Sequence, residues 1–313
     1  MSSLILLLGP TASGKTALAM ALQDALGGQS RAQIISIDSA MVYRGLDIGS
    51  AKPTAAELAL YPHALIDLRD PAEIYTAADF VADADDAVRT TWAAGKTAIL
   101  VGGTMLYARS FLQGLAELPS ADVSTRDALR EELKVRGEQA LHAELAEIDA
   151  EAARGIEPAN HQRLLRALEV VRLTGQPIST LWAKQADVSV RARLGVAPKV
   201  YGLDAWPRQA LHARIETRFQ AMLAAGFLDE VAGLQARGDL SLDLPAMRAV
   251  GYRQAWLHLT GELSSTAFQA DALTATRRLA KRQLTWLRSW PDLRWLREQS
   301  VSAQVDAVRA DGI

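Results

Sequence analysis

Eight residues near the start of the chain, Gly9-Pro10-Thr11-Ala12-Ser13-Gly14-Lys15-Thr16, have the spacing G-x-x-x-x-G-K-[ST]. Glycines let successive backbone N–H groups curl around phosphate oxygens, and a helix starting where the loop ends adds positive potential. Lys15 would set a point charge on the phosphates, and Thr16 could ligate Mg²⁺. The loop leaves the compound open, since ATP, GTP and other diphosphates all suit it. A motor or switch ATPase also needs an apolar strand ending in Asp or Asp-Glu. Ile34–Ile37 runs into Asp38, but Ser39 follows instead of Glu, and the run before Gly102 ends without a carboxylate. Hydrolysis-driven machinery is weakly supported.

A second group with chemical potential lies near the other end. Arg277, Arg278, Lys281, Arg282 and Arg288 fall on a stretch whose apolar residues, Leu273, Ala280, Leu284 and Leu287, recur at helical spacing. At about 100° per residue, Arg277, Lys281 and Arg288 share one stripe, with Arg278 and Arg282 beside it. A solvated helix face is the plain reading. Few acidic neighbours interrupt the run, so a track for nucleic-acid phosphates is its rival. The formal net charge is −2, so a nucleic-acid enzyme with this balance must concentrate its basic residues locally.

The elements that must position these groups follow from the apolar pattern. Leu4–Leu8 is a buried strand running straight into the loop, with no basic stretch of the kind that opens a signal peptide. Gly14 to Leu26 is a helix and Gln33–Ile37 a second strand. Thr54-Ala-Ala-Glu57 has capping-box spacing and opens a short helix; Ala64–Leu68 reads as a further strand. Thr76 caps a long helix ending near Gly95, and the strand Thr97–Val101 then meets the Gly102-Gly103 break. Such β–α repetition predicts an α/β fold, a P-loop parallel-sheet core with helices on both faces. From about Asp122 to Leu194 only helical periodicity is found, with breaks near Gly137, Pro158 and Gly175-Gln-Pro177. Lys199–Leu203 returns to strand, and helices follow over Pro207–Ala224, Phe227–Arg237, Arg253–Leu259 and Ser265–Arg288. The expected organisation is a core of 1–120 and 196–313, interrupted by an all-helical insertion at 121–195. The absence of Cys excludes disulfides and thiolate-ligated metals or iron–sulfur clusters. No apolar stretch is long enough for a bilayer, and a cytoplasmic protein is expected.

Asp38, at the carboxyl end of the second strand, stands where open α/β sheets place their ligands. A carboxylate there could orient Mg²⁺, cap its own loop, or accept a proton from a poor nucleophile as a new bond forms.

Several segments, taken in order, resemble the tRNA dimethylallyltransferase (isopentenyltransferase) family. They are the loop itself, Asp38-Ser-Ala-Met-Val-Tyr-Arg-Gly-Leu-Asp-Ile-Gly-Ser-Ala-Lys-Pro53, Val101-Gly-Gly-Thr-Met-Leu-Tyr107, Gln162-Arg-Leu-Leu-Arg-Ala-Leu-Glu169, Met247-Arg-Ala-Val-Gly-Tyr-Arg253 and Lys281-Arg-Gln-Leu-Thr-Trp-Leu-Arg288. They reach from the first strand to near residue 290. The resemblance implies transfer of a dimethylallyl group from its diphosphate, assisted by Mg²⁺, to N6 of the adenosine 3′ of the anticodon (position 37) in tRNAs reading codons that begin with U. The base would be flipped out of its stack to be reached. No membrane is implied, and a monomer is expected.

On this resemblance, Gly9 to Thr16 bind the diphosphate. Asp38, Arg218, Lys15 and Thr16 are catalytic, with Asp38 the general base and Thr16 and Asp38 the metal oxygens. Asp38, Ser39, Ala40 and Met41 face the base, and Thr104 contacts substrate near the channel. Gln162, Arg163, Leu164, Leu165 and Arg166, with Arg248, Ala249, Val250, Gly251, Tyr252 and Arg253, are implied contacts to the tRNA anticodon stem-loop. Lys281, Arg282 and Arg288 would meet phosphates, and Arg126 the insertion's RNA. Tyr107, Trp182 and Trp286 are expected in the core. Met41, Ser50 and Asn160 stand where many relatives have Gln, Thr and Asp, which bears on base reading near Met41 and Asn160. Two rivals remain on the residues alone. A small-molecule kinase would explain the loop but not the basic helix or the long Asp38–Pro53 segment. A non-catalytic RNA-binding protein would leave the intact loop without purpose.

Overall fold

The computed structural model describes residues 3–116, 118–120, 122–183, 187–204, 206–291 and 293–312. Met1, Ser2 and Ala121, the expected first residue of the insertion, lie outside them. The chain divides into two compact units, 1–113 with 189–313, and 114–188.

The larger unit is built on a parallel sheet of β1 (Leu4–Leu8), β2 (Ala32–Ile37), β3 (His63–Ala64), β4 (Thr97–Gly102), β5 (Lys199–Leu203) and β6 (Arg294–Leu296). The strand order is β3-β2-β4-β1-β5-β6, every pairing parallel. Its helices are α1 (Lys15–Ala25), α2 (Ala55–Leu60), α3 (Ala77–Ala93) and α4 (Met105–Gln113). The smaller unit holds α5 (Val123–Ile148), α6 (Ala150–Arg154), α7 (His161–Thr174) and α8 (Ile178–Ala183). The larger unit then resumes with α9 (Val190–Leu194), α10 (Arg208–Ala224), α11 (Phe227–Ala236), α12 (Tyr252–Leu259), α13 (Ser265–Arg288) and α14 (Val301–Ala310).

Strand β1 is a run of Leu and Ile because both its faces are covered. Leu4, Leu6 and Leu8 pack with Phe80, Val88 and Phe111, while Ile5 and Leu7 pack with Leu18, Leu22 and Val308. Alternate residues of one strand thus feed two cores, and each such buried side chain contributes about 1.5–3 kcal/mol before entropy is counted. Register then decides where the chemistry lies. Leu8 and Ile37 both pair with Gly102, so three neighbouring strands end level. Gly9, Asp38 and Gly103 leave the sheet together along one edge.

The Thr54 and Thr76 capping boxes are present, each hydroxyl taking the N–H three residues on while Glu57 or Asp79 returns the bond. The strand expected over Ala64–Leu68 is corrected: β3 stops at Ala64 because Leu65 (φ 64°) and Asp67 (φ 55°) turn into the left-handed region. Strand β6 and helix α14 were not anticipated. No helix among the described residues is long and apolar enough to cross a membrane.

In the smaller unit the chain breaks at Gly137 (φ 79°) within α5, and α7 runs from an Asn160 cap to Gly175. Leu129, Leu141, Leu145, Leu164, Leu168 and Ile178 form its core. Trp182, expected inside, is 45% exposed; α8 is short, and only Ile178 of it is buried.

Candidate active site

The phosphate loop is braced from three sides. Gln283 of α13 accepts the Thr11 N–H at 2.9 Å and donates to the Gly103 carbonyl at 2.8 Å. Arg214 of α10 donates to the Ala12 carbonyl at 2.9 Å and lies 4.3 Å over the Trp206 ring, whose indole N–H reaches the Ser13 carbonyl at 3.1 Å. Ala12 (φ 62°) and Gly14 (φ 96°) give the loop its concave backbone. The first intrahelical bond of α1 is Leu18 N–H to Gly14 O, so the preceding N–H groups point outward from the helix start.

Asp38 continues β2 and turns back on itself, its Oδ1 accepting the N–H groups of Ala40 at 2.9 Å and Met41 at 3.2 Å. One carboxylate oxygen is thus used in shaping the turn, and the other is left for chemistry. Thr104, directly after Gly103, holds the same turn: its hydroxyl accepts the Ser39 N–H at 3.0 Å and donates to Ser39 Oγ at 3.2 Å.

These groups line one cavity of about 590 Å³. Its polar end is made by Thr11, Ala12, Lys15, Thr16, Asp38, Ser39, Thr104 and Arg218. Met41, Met105, Phe219, Met222, Phe227 and Ala249 give it an apolar remainder. Burial lowers the Lys15 ammonium to about 8, Arg218 adding to the drop and Asp38 opposing it. Burial likewise lowers the Arg218 guanidinium, again against Asp38. Two cations and one carboxylate therefore share a poorly hydrated space, an arrangement that favours an anionic ligand with two or more negative oxygens. Thr16 and Asp38 supply hard oxygens of the kind Mg²⁺ takes when substrate phosphates complete its shell, so these residues fit that ion.

Beyond the cavity's geometry, residues 41–290 match the family model described as IPP transferase. The chain belongs to the IPP transferase family. It is 52% identical over 308 residues to the tRNA dimethylallyltransferase of Chromohalobacter salexigens, covering 97% of this chain and 95% of that one. The full-length tRNA isopentenylpyrophosphate transferase of Bacillus halodurans superposes with a TM-score of 0.70 at 33% identity, over 99% of this chain and 95% of that one. A eukaryotic dimethylallyltransferase acting on tRNA shares the fold, with a TM-score of 0.76 at 23% identity over 100% of this chain and 78% of that one.

In this IPP transferase, the expected catalytic residues Lys15, Thr16, Asp38 and Arg218 all line the cavity, as do Ser39, Ala40, Met41 and Thr104. Within the loop, Thr11 and Ala12 line it, and Ser13 is buried. Arg248, Ala249, Val250, Gly251 and Tyr252 also contribute to its wall. Tyr252 is 1% exposed, and its hydroxyl donates to Glu230 at 2.6 Å. Burial first, then Glu230, pushes that phenol well above its ordinary range. Its side chain is therefore an anchor inside the protein. Arg253 is exposed.

On α13, Arg282 lines the cavity and also a neighbouring groove with Arg278, Lys281, Thr285 and Trp286. Lys281 and Arg282 are solvent-facing. Arg277 pairs with Glu216 at 3.2 Å and Arg288 with Asp204 at 3.5 Å. Trp286 is half-buried at the cavity, with Arg109 5.7 Å over its ring, and Tyr107 is buried in a stack with Phe80 at 4.8 Å.

Several of the expected RNA contacts in the smaller unit have partners within that unit. Leu164 is fully buried, so its side chain has no surface to offer RNA, and Leu165 packs beside the same core. Arg126 and Arg166 turn to the buried Glu169 at 2.9 and 2.8 Å, and Arg166 also reaches the Pro119 carbonyl. Burial opposes the charge of Glu169, yet the bonds from Arg166, the Asp122 N–H and Arg126 hold its carboxyl below the ordinary range. Gln162 and Arg163 remain exposed on the first turn of α7, where Asn160 caps the Arg163 N–H. Asn keeps the capping oxygen that Asp would supply.

Two residues essential to the site's shape carried no assignment. Glu230 on α11 accepts the N–H groups of Asp47, Ile48 and Gly49 at 3.0, 2.6 and 3.1 Å, pinning the long segment after Asp38. The other is Gln283, which lies within a matched motif.

Proposed function

We propose that the protein transfers the dimethylallyl group of dimethylallyl diphosphate to N6 of the adenosine 3′ of the anticodon, position 37, in tRNAs reading codons that begin with U. The product is N6-(dimethylallyl)adenosine. The observation that carries this reading is the single cavity in which the phosphate loop, Lys15, Arg218 and Asp38 face an apolar interior. Apolar walls directly beyond the phosphate-binding groups suit a short prenyl tail.

The diphosphate sits on the loop N–H groups, Lys15 and Arg218. As the C1–O bond breaks, its electrons leave with the diphosphate, and these donors stabilise the growing charge. The N6 lone pair forms the new bond to C1. Adenine's exocyclic amine is a weak nucleophile, and the Asp38 carboxylate accepts its proton as that bond forms. The second oxygen of Asp38, held by Ala40 and Met41, keeps the acceptor aimed. Mg²⁺, held by Thr16 and Asp38, would neutralise charge on the diphosphate when bound. The apolar walls exclude water that would otherwise capture the allylic carbon.

On the RNA side, Lys281, Arg282 and Arg288 bind backbone phosphates, and the 114–188 unit, through Gln162 and Arg163, receives the anticodon stem-loop. Thr104 and Met41 stand beside the flipped adenine. The deciding experiment incubates the protein with Mg²⁺, radiolabelled dimethylallyl diphosphate and an anticodon stem-loop bearing that adenosine. Label on the adenosine is expected. ATP consumption with small acceptors and no label on RNA would replace this reading with a kinase.

A further inference from the structure

Gln283 is 7% exposed and spends both ends of its amide on the phosphate site, accepting from Thr11 N–H and donating to Gly103 O. The loop's donors are thereby divided unevenly. Pro10 has no N–H. The Thr11 N–H is held by Gln283, and the Ser13 N–H bonds the Pro10 carbonyl at 3.2 Å. The entry half of the loop, apart from Ala12, therefore has no donors left for phosphate. Those that remain cluster at the start of α1, before the Leu18 to Gly14 bond.

The amide also fills space. A Cβ placed on Gly103 would stand 2.6 Å from Gln283 Nε2, 3.1 Å from the Gly9 carbonyl and 3.5 Å from Lys15 Nζ. The amide, the loop's first residue and the ammonium crowd one point, so a side chain at residue 103 would have to displace the Gln283 amide. A third phosphoryl group running past Lys15 along the entry half would meet an occupied N–H and the Gln283 amide. Two phosphoryl groups on the helix-end donors would not.

We infer that Gln283 sets the loop's preference for diphosphates over triphosphates, by withholding the Thr11 N–H and filling the space beside Lys15. This rests on reading the loop as a diphosphate cradle. Gln283 is a positioning residue, acting through the loop it holds.

The test is calorimetric titration of the full-length protein, at fixed Mg²⁺, with dimethylallyl diphosphate and with dimethylallyl triphosphate. Wild type should favour the diphosphate. Gln283→Ala, which frees the donor and the space, should shift the ratio of the two Kd values about tenfold toward the triphosphate, the scale of one hydrogen bond to a charged group. Gln283→Met, which frees the donor but keeps the volume, should shift it less. A ratio unchanged in both variants overturns the inference, even where both affinities fall together, as a purely structural role would produce. A wild type that binds the triphosphate as tightly overturns it too. Failure of the underlying reading shows separately, as a wild type inactive in the prenyl-transfer assay.

Discussion

Lys15 should take up a proton when a diphosphate binds above neutral pH. Burial, then Arg218, brings its ammonium from 10.5 to about 8 in the ligand-free protein. That drop corresponds to about 3 kcal/mol set against the charged form. A diphosphate laid on the ammonium supplies the opposing charge, so the pKa of the bound form rises again. At pH 9 about nine-tenths of the free protein would hold Lys15 neutral, and at pH 7 about one-tenth, from an ammonium at about 8. Proton uptake per ligand should therefore climb from about 0.1 at pH 7 to about 0.9 at pH 9. Affinity should fall in step, approaching tenfold per pH unit above 9. Calorimetry in two buffers of different ionisation enthalpy measures the uptake directly, with an alkyl diphosphate whose own last ionisation lies below this window. Lys15→Met should bind weakly at every pH and show no such rise. Uptake near zero at pH 9 in the wild type, or a rise that survives in Lys15→Met, would refute the reasoning. Stability carries the same signature with a definite sign. Between about 8 and 10.5 the unfolded chain holds the Lys15 proton and the folded chain does not, so the ligand-free protein should gain stability from this group as pH rises through that window.

Asp38→Asn retains the oxygen that accepts the Ala40 and Met41 N–H groups but removes the charge, so kcat should fall roughly 10²–10⁴-fold with RNA affinity kept. A near-normal kcat in single-turnover prenyl transfer would remove Asp38 as the base. Neutralising Lys281, Arg282 and Arg288 together should flatten the dependence of log K on log salt by about 2, at about 0.7–0.9 per phosphate contact. An unchanged slope would return that stripe to an ordinary solvated face. Glu230→Ala leaves three backbone N–H groups and the Tyr252 hydroxyl without their acceptor, at about 1–3 kcal/mol for each group that stays dry. The expected result is a Tm lower by several degrees with reduced turnover; an unaltered Tm would show the segment is held by other means.

The central strands were legible because they are covered on both faces and so read as apolar runs, and the helices opened by Thr54 and Thr76 because their caps are local chemistry. Strand β6 had no such signature. Its three residues begin with exposed Arg294, and they form a strand only because Tyr201, Gly202 and Leu203 offer an edge to pair with. The site's motifs could be put in order from sequence, but not the direction in which each side chain turns. Arg126 and Arg166 look the same as letters whether they meet an RNA phosphate or the Glu169 carboxylate, and 43 residues separate Arg126 from that partner. Tyr252 and Glu230 pose the same problem over 22 residues. Glu230 itself was invisible, since its three N–H donors lie more than 180 residues earlier on a segment with no regular structure.

The end of β4 has no room for the carboxylate that other phosphate-loop proteins place there. In hydrolysing relatives of the loop a carboxylate ends a neighbouring strand and helps hold the metal. Strand β4 lies between β1 and β2, the natural place for it, yet it ends in Gly102-Gly103. Any side chain at Gly102 would begin 2.0 Å from the Ile37 carbonyl oxygen, and one at Gly103 would meet the Gln283 amide. The close approach of β2 that forbids a carboxylate on β4 is the same approach that delivers Asp38 to the cavity. The acid has in effect moved one strand over, to a turn it shapes with its own Oδ1 and shares with Thr104. From there it lines a cavity with apolar walls as well as phosphate-binding groups, where the proposed base would accept a proton from an amine while a carbon–oxygen bond breaks beside it.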